Sequence, residues 1–481
     1  MNRPDWEQAA HIFFTDGGEK LARRLRSRYN KHIMGERRSV SMIKTAKFGG
    51  SSLSDATQFQ KVAAIVRADS DRRFVVVSAP GKRFSGDEKI TDLLYRCAAL
   101  ASSREDFSDP FGRIRDRFLS SERDLGLEQV HIGPALDEIE AALGTGRATR
   151  DFVASRGEYL CARLMSAYLG APMVDAADLI RFDESGKLDM MATECACALL
   201  RDMPLAVIPG FYGAMPDGSI RTFSRGGSDI TGSIIARAVH ASEYENWTDV
   251  DGFMMADPRI VPEARIMHAV SYTELRELSY MGASVLHEES IFPVREARIP
   301  IHVRNTNRPE AGGTWIVNEG TLMKEHRHGI VAGIAGRRGF TMITLTKDNL
   351  HKQPGFAYTL LKILDRHDIV VESMPSGIDN LTVILNDTDI QGKMDQLYHE
   401  IRTELKPDTV EIASSIALIA TVGHGMARTL GVAARLFTAL HEAGVSSRII
   451  DQSPKEMNLI VGVDQRDFEN AVRAIYRAFC E

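Results

Sequence analysis

Cysteine is scarce in this sequence, with five residues among 481. So low and odd a count does not make a disulfide framework. Cys195 and Cys197 flank one alanine, but no second Cys or His pair stands at zinc-site spacing. Long apolar runs are missing as well, and none approaches the roughly 20 residues that span a bilayer. The early Ile12-Phe13-Phe14 is cut short at once by Thr15-Asp16-Gly17-Gly18, so no secretory core is expected there. Neither sign of charge is in large excess: 59 basic against 65 acidic residues leave a net charge of -6, without the basic footprint of a nucleic-acid binder. These absences describe a reduced, cytoplasmic chain with neither membrane nor nucleic acid among its partners. What is present is an ordinary globular balance, 44% hydrophobic and 26% charged, over a length that implies two or three domains.

Residues 1–41 differ in character from the rest. Lys20-Leu21-Ala22-Arg23-Arg24-Leu25-Arg26 is a short basic, partly amphipathic stretch. Its plain reading is a poorly ordered extension with Met42 as the functional start; the alternative is an arm for a membrane surface or partner. From Met42 the pattern changes. Residues 43–48 and 73–79 read as buried strands, 206–210 as another, with helical stretches at 56–66, 90–100, 111–119 and 134–143. Strands alternating with helices predict an α/β three-layer αβα domain with a largely parallel sheet over 42–316. Beyond it, strand and helix patterns recur twice, predicting two ferredoxin-like α+β units at 330–415 and 416–481. Strands may be exchanged between these two units.

Four segments could carry chemistry. Lys47-Phe48-Gly49-Gly50-Ser51-Ser52 delivers a lysine from a strand into a glycine turn before a helix. Such a turn lets backbone N–H groups and a helix N-terminus face phosphate oxygens, although it lacks the ending of a P-loop and an incidental tight turn would read the same. Thr222-Phe223-Ser224-Arg225-Gly226-Gly227-Ser228-Asp229 opens a second helix; Arg225 suits a carboxylate, while Asp229 alone could be an N-cap. Trp247-Thr248-Asp249-Val250-Asp251-Gly252 and Ala256-Asp257-Pro258-Arg259 suit nucleotide and magnesium, or are simply Asp-Gly and Asp-Pro turns. Ser155-Arg156-Gly157-Glu158 precedes an apolar helical run and fits a capping box in a first turn, or an ammonium partner.

In this order, the four segments resemble the aspartate kinase branch of the amino-acid kinase family, whose patterns are KFGGTS, SxGE, GRGGSD, WTDVDG…ADPR and GAxVLH. The last is present as Gly282-Ala283-Ser284-Val285-Leu286-His287. The resemblance implies transfer of the γ-phosphoryl group of ATP to the β-carboxylate of L-aspartate, the first step towards lysine, threonine and methionine. It implies roles by residue. Lys47 meets the transferring phosphoryl group, aided by Gly49, Gly50 and Ser51, and Asp229 orients Lys47. Arg225 grips the substrate α-carboxylate, Glu158 pairs with its ammonium, and Ser228, Thr91 and Ser78 line the aspartate pocket. Thr248, Asp249, Asp257, Arg259 and Ser284 face ATP. Mg2+ is expected to arrive on the ATP phosphates, with no direct protein ligand.

The sequence departs from the family pattern in places. Ser284 and Glu288 replace the lysine and proline of GAKVLHP, Met254 a tyrosine, and Ser224 the first glycine of GRGGSD. The loop at 80–89 is longer and more charged than the usual glycine turn. The C-terminal units are similar to ACT domains, which implies an amino-acid effector, lysine and/or threonine, bound near Met426, Gly431 and Val432, and assembly as a homodimer or homotetramer. No homoserine dehydrogenase region follows, so a monofunctional enzyme is expected. Rival readings are a glutamate or N-acetylglutamate kinase, and a non-catalytic amino-acid-sensing relative.

Overall fold

A run such as Arg72–Val77 (RRFVVV) can only be a strand covered on both faces, and the computed structural model shows how. Phe74 and Val76 point into one apolar cluster, Val75 and Val77 into another. The structure describes residues 42–224, 226–283, 286, 288–325, 329–452 and 457–480, and from Ile43 onward they belong to one unit. Its first sheet has the strands β1 (Lys44–Phe48), β2 (Arg72–Val77), β3 (Ala206–Pro209), β6 (Glu243–Thr248), β7 (Ala269–Ser271), β8 (Ile301–Asn305) and β9 (Thr314–Val317). A separate hairpin joins β4 (Tyr212–Ala214) to β5 (Ile220–Thr222). The spatial order is β3-β2-β1-β6-β8-β9-β7, parallel except where β9 runs against β8.

Helices α1 (Ala56–Arg67), α2 (Ile90–Ser102), α3 (Ser108–Asp124), α4 (Gly133–Gly144) and α5 (Arg150–Leu169) cover one face. Helices α6 (Gly227–Ala238), α7 (Tyr272–Tyr280) and α8 (Glu288–Ala297) contribute to the other. The chain leaves β1 toward β2 on one side, and β6 lies on the opposite side, so the strand order reverses there. In open α/β sheets the crevice at the carboxyl ends of such strands is where ligands bind. Here those ends are Lys47-Phe48-Gly49 and Trp247-Thr248.

Low on the same sheet, Glu245 is fully buried yet fully engaged. Arg72 Nε reaches it at 2.6 Å, Trp247 Nε1 donates at 2.9 Å, and Arg304 lies at 3.4 Å. A buried carboxylate without such partners would be strongly destabilising.

The second sheet has the order β11-β12-β10-β13-β15-β14. Its strands are β10 (Gly333–Thr346), β11 (Val371–Ser373), β12 (Asn380–Asn386), β13 (Thr409–Val422), β14 (Ser447–Gln452) and β15 (Asn458–Asp464). Helices α9 (Phe356–Arg366) and α10 (Met394–Glu400) pack on its first half, α11 (Val432–Glu442) and α12 (Phe468–Cys480) on its second. The boundary expected between 415 and 416 falls inside β13. The strand itself runs on through that point, paired with β10 from Thr346↔Thr409 to Gly333↔Val422, but the ladder is bulged there, with Ser414 and Ser415 outside the register and Ser415 in left-handed backbone (φ 59°). Only its later part, from Ile416, pairs with β15. The second unit therefore receives an outer strand from residues 333–338, the opening residues of the first unit's span.

The two sheets meet through α7. Ser271 caps this helix in a capping box with Glu274, and its hydroxyl also lies 3.0 Å from His424 Nε2, while Glu274 accepts the His424 N–H at 2.8 Å. Ser271→Ala is expected to lower unfolding stability by about 1 kcal/mol, the usual loss at an N-cap, measurable by urea denaturation. No change in midpoint would mean that the cap is redundant.

Candidate active site

Lys47, next to last in β1, is on the face opposite Ala46 and Phe48, which pack against α1–α5. Its partner in register on β6 is Asn246. Across from both, Asp229 stands in the first turn of α6, two residues beyond the start of that helix. Lys47 Nζ lies 2.6 Å from Asp229 Oδ1, and Asn246 Nδ2 donates to the same oxygen at 2.7 Å. Asn246 Oδ1 is 3.5 Å from Nζ. Lys47 is 6% exposed, so its ammonium is held by a carboxylate and an amide rather than by bulk water. The N-cap is Gly226, not Asp229; the left-handed backbone there (φ 60°) favours glycine and frees the acid to face the lysine. Asn246 is missing from the sequence reading. Its only signal is an amide in a strand buried on both faces.

The glycine turn follows Lys47. The Gly49 N–H donates to the Trp247 carbonyl at 3.0 Å, which leaves Gly50 and Ser51 as the amides placed to meet a phosphate. Gly50 is pressed against the next loop: a Cβ there would sit 2.8 Å from the Ala79 carbonyl oxygen. Ser52 bonds Thr306 at 2.8 Å, and the Thr306 N–H bonds the Thr248 carbonyl at 2.8 Å, tying the turn to the ends of β6 and β8.

Glu158 is not in a first helical turn. Its helix starts eight residues earlier, at Arg150 with Thr149 as N-cap, and Ser155 Oγ donates to the Phe152 carbonyl at 2.7 Å instead of capping. The capping-box reading fails because Arg150–Ala154 is already helical and buried Val153 and Ala154 pack inward. Mid-helix, Glu158 is 4% exposed. Burial pushes its carboxyl up to about 8, against the opposing pull of the Ala79 N–H that donates to it. Its Oε2 has no hydrogen-bond partner among the described residues. Such a carboxyl is neutral when protonated and becomes a partner for a cation only when it ionises. Gly157 allows the close approach, since a Cβ would lie 2.8 Å from that of Ala79.

The remaining candidates spread around this centre. Ser228 is buried beside Gly210, whose added Cβ would fall 2.7 Å from the Ser228 Cβ. Ser78 is half-buried with its N–H on the Phe48 carbonyl at 3.2 Å, and Thr91 is half-buried in the first turn of α2. Thr248 Oγ1 donates to Asp249 at 3.2 Å. Asp257 and Arg259 pair with each other at 2.6 Å, Arg259 being 87% exposed. Their loop leans on the C-terminal units: the Ile334 N–H donates to the Met255 carbonyl at 2.7 Å and Arg473 Nε to the Ile260 carbonyl at 3.0 Å. Arg225 and Ser284 lie outside the described residues. At the second unit Met426 and Val432 are buried, Gly431 (φ 79°) caps α11, and Leu430 is fully exposed.

Residues 42–305 match the amino acid kinase family model and residues 419–479 an ACT domain model. Aspartokinase 3 of Bacillus subtilis is 36% identical over 91% of this chain and 98% of its own length. The crystal structure of Clostridium acetobutylicum aspartate kinase superposes with a TM-score of 0.86 at 46% identity, covering 91% of this chain and all of that one. Aspartokinase III of Escherichia coli, solved with aspartate and ADP, has a TM-score of 0.67 at 28% identity over 91% of this chain and 100% of its own. Its complex with lysine and aspartate is similar at 0.68. The chain belongs to the amino acid kinase family, among its aspartokinases.

Proposed function

We propose that this chain phosphorylates the β-carboxylate of L-aspartate from ATP, with Lys47 and Glu158 as the two charges that hold the reactants. The observation that carries this is the pairing of two built groups at one crevice: a lysine locked by Asp229 and Asn246 at 2.6 and 3.5 Å, and a buried, half-satisfied carboxyl at Glu158. Aspartate, with ordinary carboxylate pKa values of about 4, is ionised at pH 7, so no general base is needed. The work is to bring two anions together in line. Lys47 and the Gly50 and Ser51 amides would take the charge of the transferring phosphoryl group. Asp229 and Asn246 keep the lysine from turning away. Glu158 would hold the substrate ammonium, Arg225 its α-carboxylate, with Ser228, Ser78 and Thr91 at the pocket wall.

Magnesium bound to the triphosphate would neutralise phosphate charge, and it needs few protein carboxylates. Asp229 is engaged by Lys47 and Asn246, so the magnesium would arrive on the ATP phosphates without a direct protein ligand, facing Asp249 just beyond β6. Thr248, Asp249 and Ser284 would face the nucleotide, with Asp257 and Arg259 at its outer edge. An amino-acid effector, lysine and/or threonine, would act at the C-terminal units; the lysine complex of the Escherichia coli relative supports lysine. The outer strands β11 and β14 leave open edges for assembly with a second copy. A cytoplasmic setting belongs to the same proposal.

Steady-state kinetics test it. Aspartate should be the acceptor, with glutamate and N-acetylglutamate turned over poorly, since an N-acetylated acid has no ammonium for Glu158. Lysine and threonine, added alone and together, should inhibit in at least one combination. Turnover of N-acetylglutamate equal to that of aspartate would overturn the assignment of Glu158.

A further inference from the structure

The charged loop at 80–89 is anchored at a place that the phosphoryl-transfer chemistry leaves unexplained. Arg117, on α3, is only 5% exposed, and so is the side chain of its partner Asp87; Nη2 meets Asp87 Oδ2 at 2.6 Å. The other arm of the same guanidinium, Nη1, donates to the Gly81 carbonyl at 3.0 Å. Asp87 also accepts the backbone N–H and Nε of Arg83, each at 3.0 Å. Burial works against the Asp87 charge, but the Arg83 hydrogen bonds and the Arg117 charge outweigh it and hold the carboxyl well below its usual range. Between the two buried anchors Gly81 and Asp87, residues 82–86 are exposed.

Gly81 is where this clamp reaches the site. Its N–H donates to the Gly50 carbonyl at 2.8 Å, and a Cβ on Gly81 would lie 2.7 Å from the Gly50 carbonyl carbon. Two residues earlier, Ala79 gives its N–H to Glu158. At the far end of the loop, the Ile90 N–H bonds the Pro80 carbonyl at 3.3 Å and α2 begins with Thr91 in its first turn. One short segment thus touches the phosphate turn, the ammonium carboxylate and the start of α2.

We propose that Arg117 and Asp87 are a positioning pair which, through the 80–89 loop, sets the phosphate turn at Gly50 and the carboxylate of Glu158 in register with each other. The proposal rests on the reading of Glu158 and the glycine turn given above. A buried ion pair is poor evidence for stability, because apolar residues of equal volume often serve as well. What an apolar pair cannot do is grip a carboxylate and a backbone carbonyl at fixed geometry from one planar fork. Neither residue is among the groups proposed above to hold the reactants.

Arg117→Lys keeps the charge but not the fork, so it tests geometry. Both KM values, for MgATP and for aspartate, are expected to rise on the order of tenfold, since small misplacements of binding groups carry large penalties. Ile114→Ala, in a buried apolar position on the same helix, should lower the melting temperature and leave both KM values alone. If Arg117→Lys is not recovered folded, Asp87→Asn removes the charge, keeps an acceptor for Arg83 and should move both KM values the same way. Either KM staying within about twofold of wild type in the folded variant overturns the proposal. Glu158→Gln, run alongside, separates the causes. If it raises the aspartate KM while Arg117→Lys is silent, the clamp is wrong; if both are silent, the reading of the site beneath it is wrong.

Discussion

Lys47→Ala should lower kcat by about a thousandfold or more, the scale seen when a preorganised group facing developing charge is deleted, while the protein still melts near the wild-type temperature. Two features underlie this expectation. The ammonium is nearly buried and gripped by Asp229 and Asn246, so its charge is fixed beside the glycine turn, where a methyl group cannot take its place. The acid left behind is not stranded, because the Asp229 side chain is 21% exposed and keeps the Asn246 amide at 2.7 Å. Water can solvate it, and the fold loses little. Turnover within about tenfold of wild type, a difference of only ~1.4 kcal/mol, would mean that the phosphoryl group is stabilised elsewhere.

Glu158→Gln should raise the aspartate KM by about a hundredfold, consistent with the 2–5 kcal/mol typical of removing one member of a buried charge pair. The pH behaviour makes the test sharper. In the free enzyme burial holds the Glu158 carboxyl up to about 8, so at pH 7 it is mostly protonated, and it must ionise to pair with an ammonium. Aspartate binding near neutrality should therefore release a proton, visible by calorimetry in buffers of different ionisation enthalpy. The aspartate KM should fall as pH rises toward 8. Both effects should vanish in the glutamine variant.

Stability runs the other way. The unfolded chain gives up this proton near the ordinary carboxylate value of 4.5 and the folded one near 8. Folded protein thus binds more protons between those values, and stability falls with rising pH across the window. The contribution is whole below 4.5 and gone above about 8. Without aspartate, Glu158→Gln should escape that loss, and its melting temperature should exceed that of the wild type at pH 8.5. A variant that melts lower there, with proton release unchanged, would remove Glu158 from the ammonium site.

The parts of this architecture that the sequence foretells are those governed by local pattern. The apolar run of β2 declares a sheet covered on both faces, and Lys47 ahead of Gly49 and Gly50 declares a strand running into a tight turn, because both signals lie within a few consecutive residues. The start of α5 is misread because Ser155 and Glu158 imitate a helix cap three residues apart, while the true cap, Thr149, is separated from them by residues with no distinctive punctuation. Asn246 and Ala79 escape notice for a different reason. Their roles exist only once β1 lies beside β6 and α5 lies against the loop after β2, contacts that join residues 199 and about 80 positions apart. The clamp at Arg117 is the extreme case: nothing around it in sequence differs from a surface arginine on an amphipathic helix.

The borrowed strand at 333–338 has a practical corollary. Expressed by itself, the segment 339–481 would bare the flank of β13 that those six residues cover, inviting aggregation or an exchange with a neighbouring molecule. The sensing half can be dissected away from the catalytic half only upstream of Gly333, and its two modules cannot be parted from each other at all without tearing a ladder. Because β10 and β13 each run through both modules, the bulge at Ser414 and Ser415 is where one module can bend against the other.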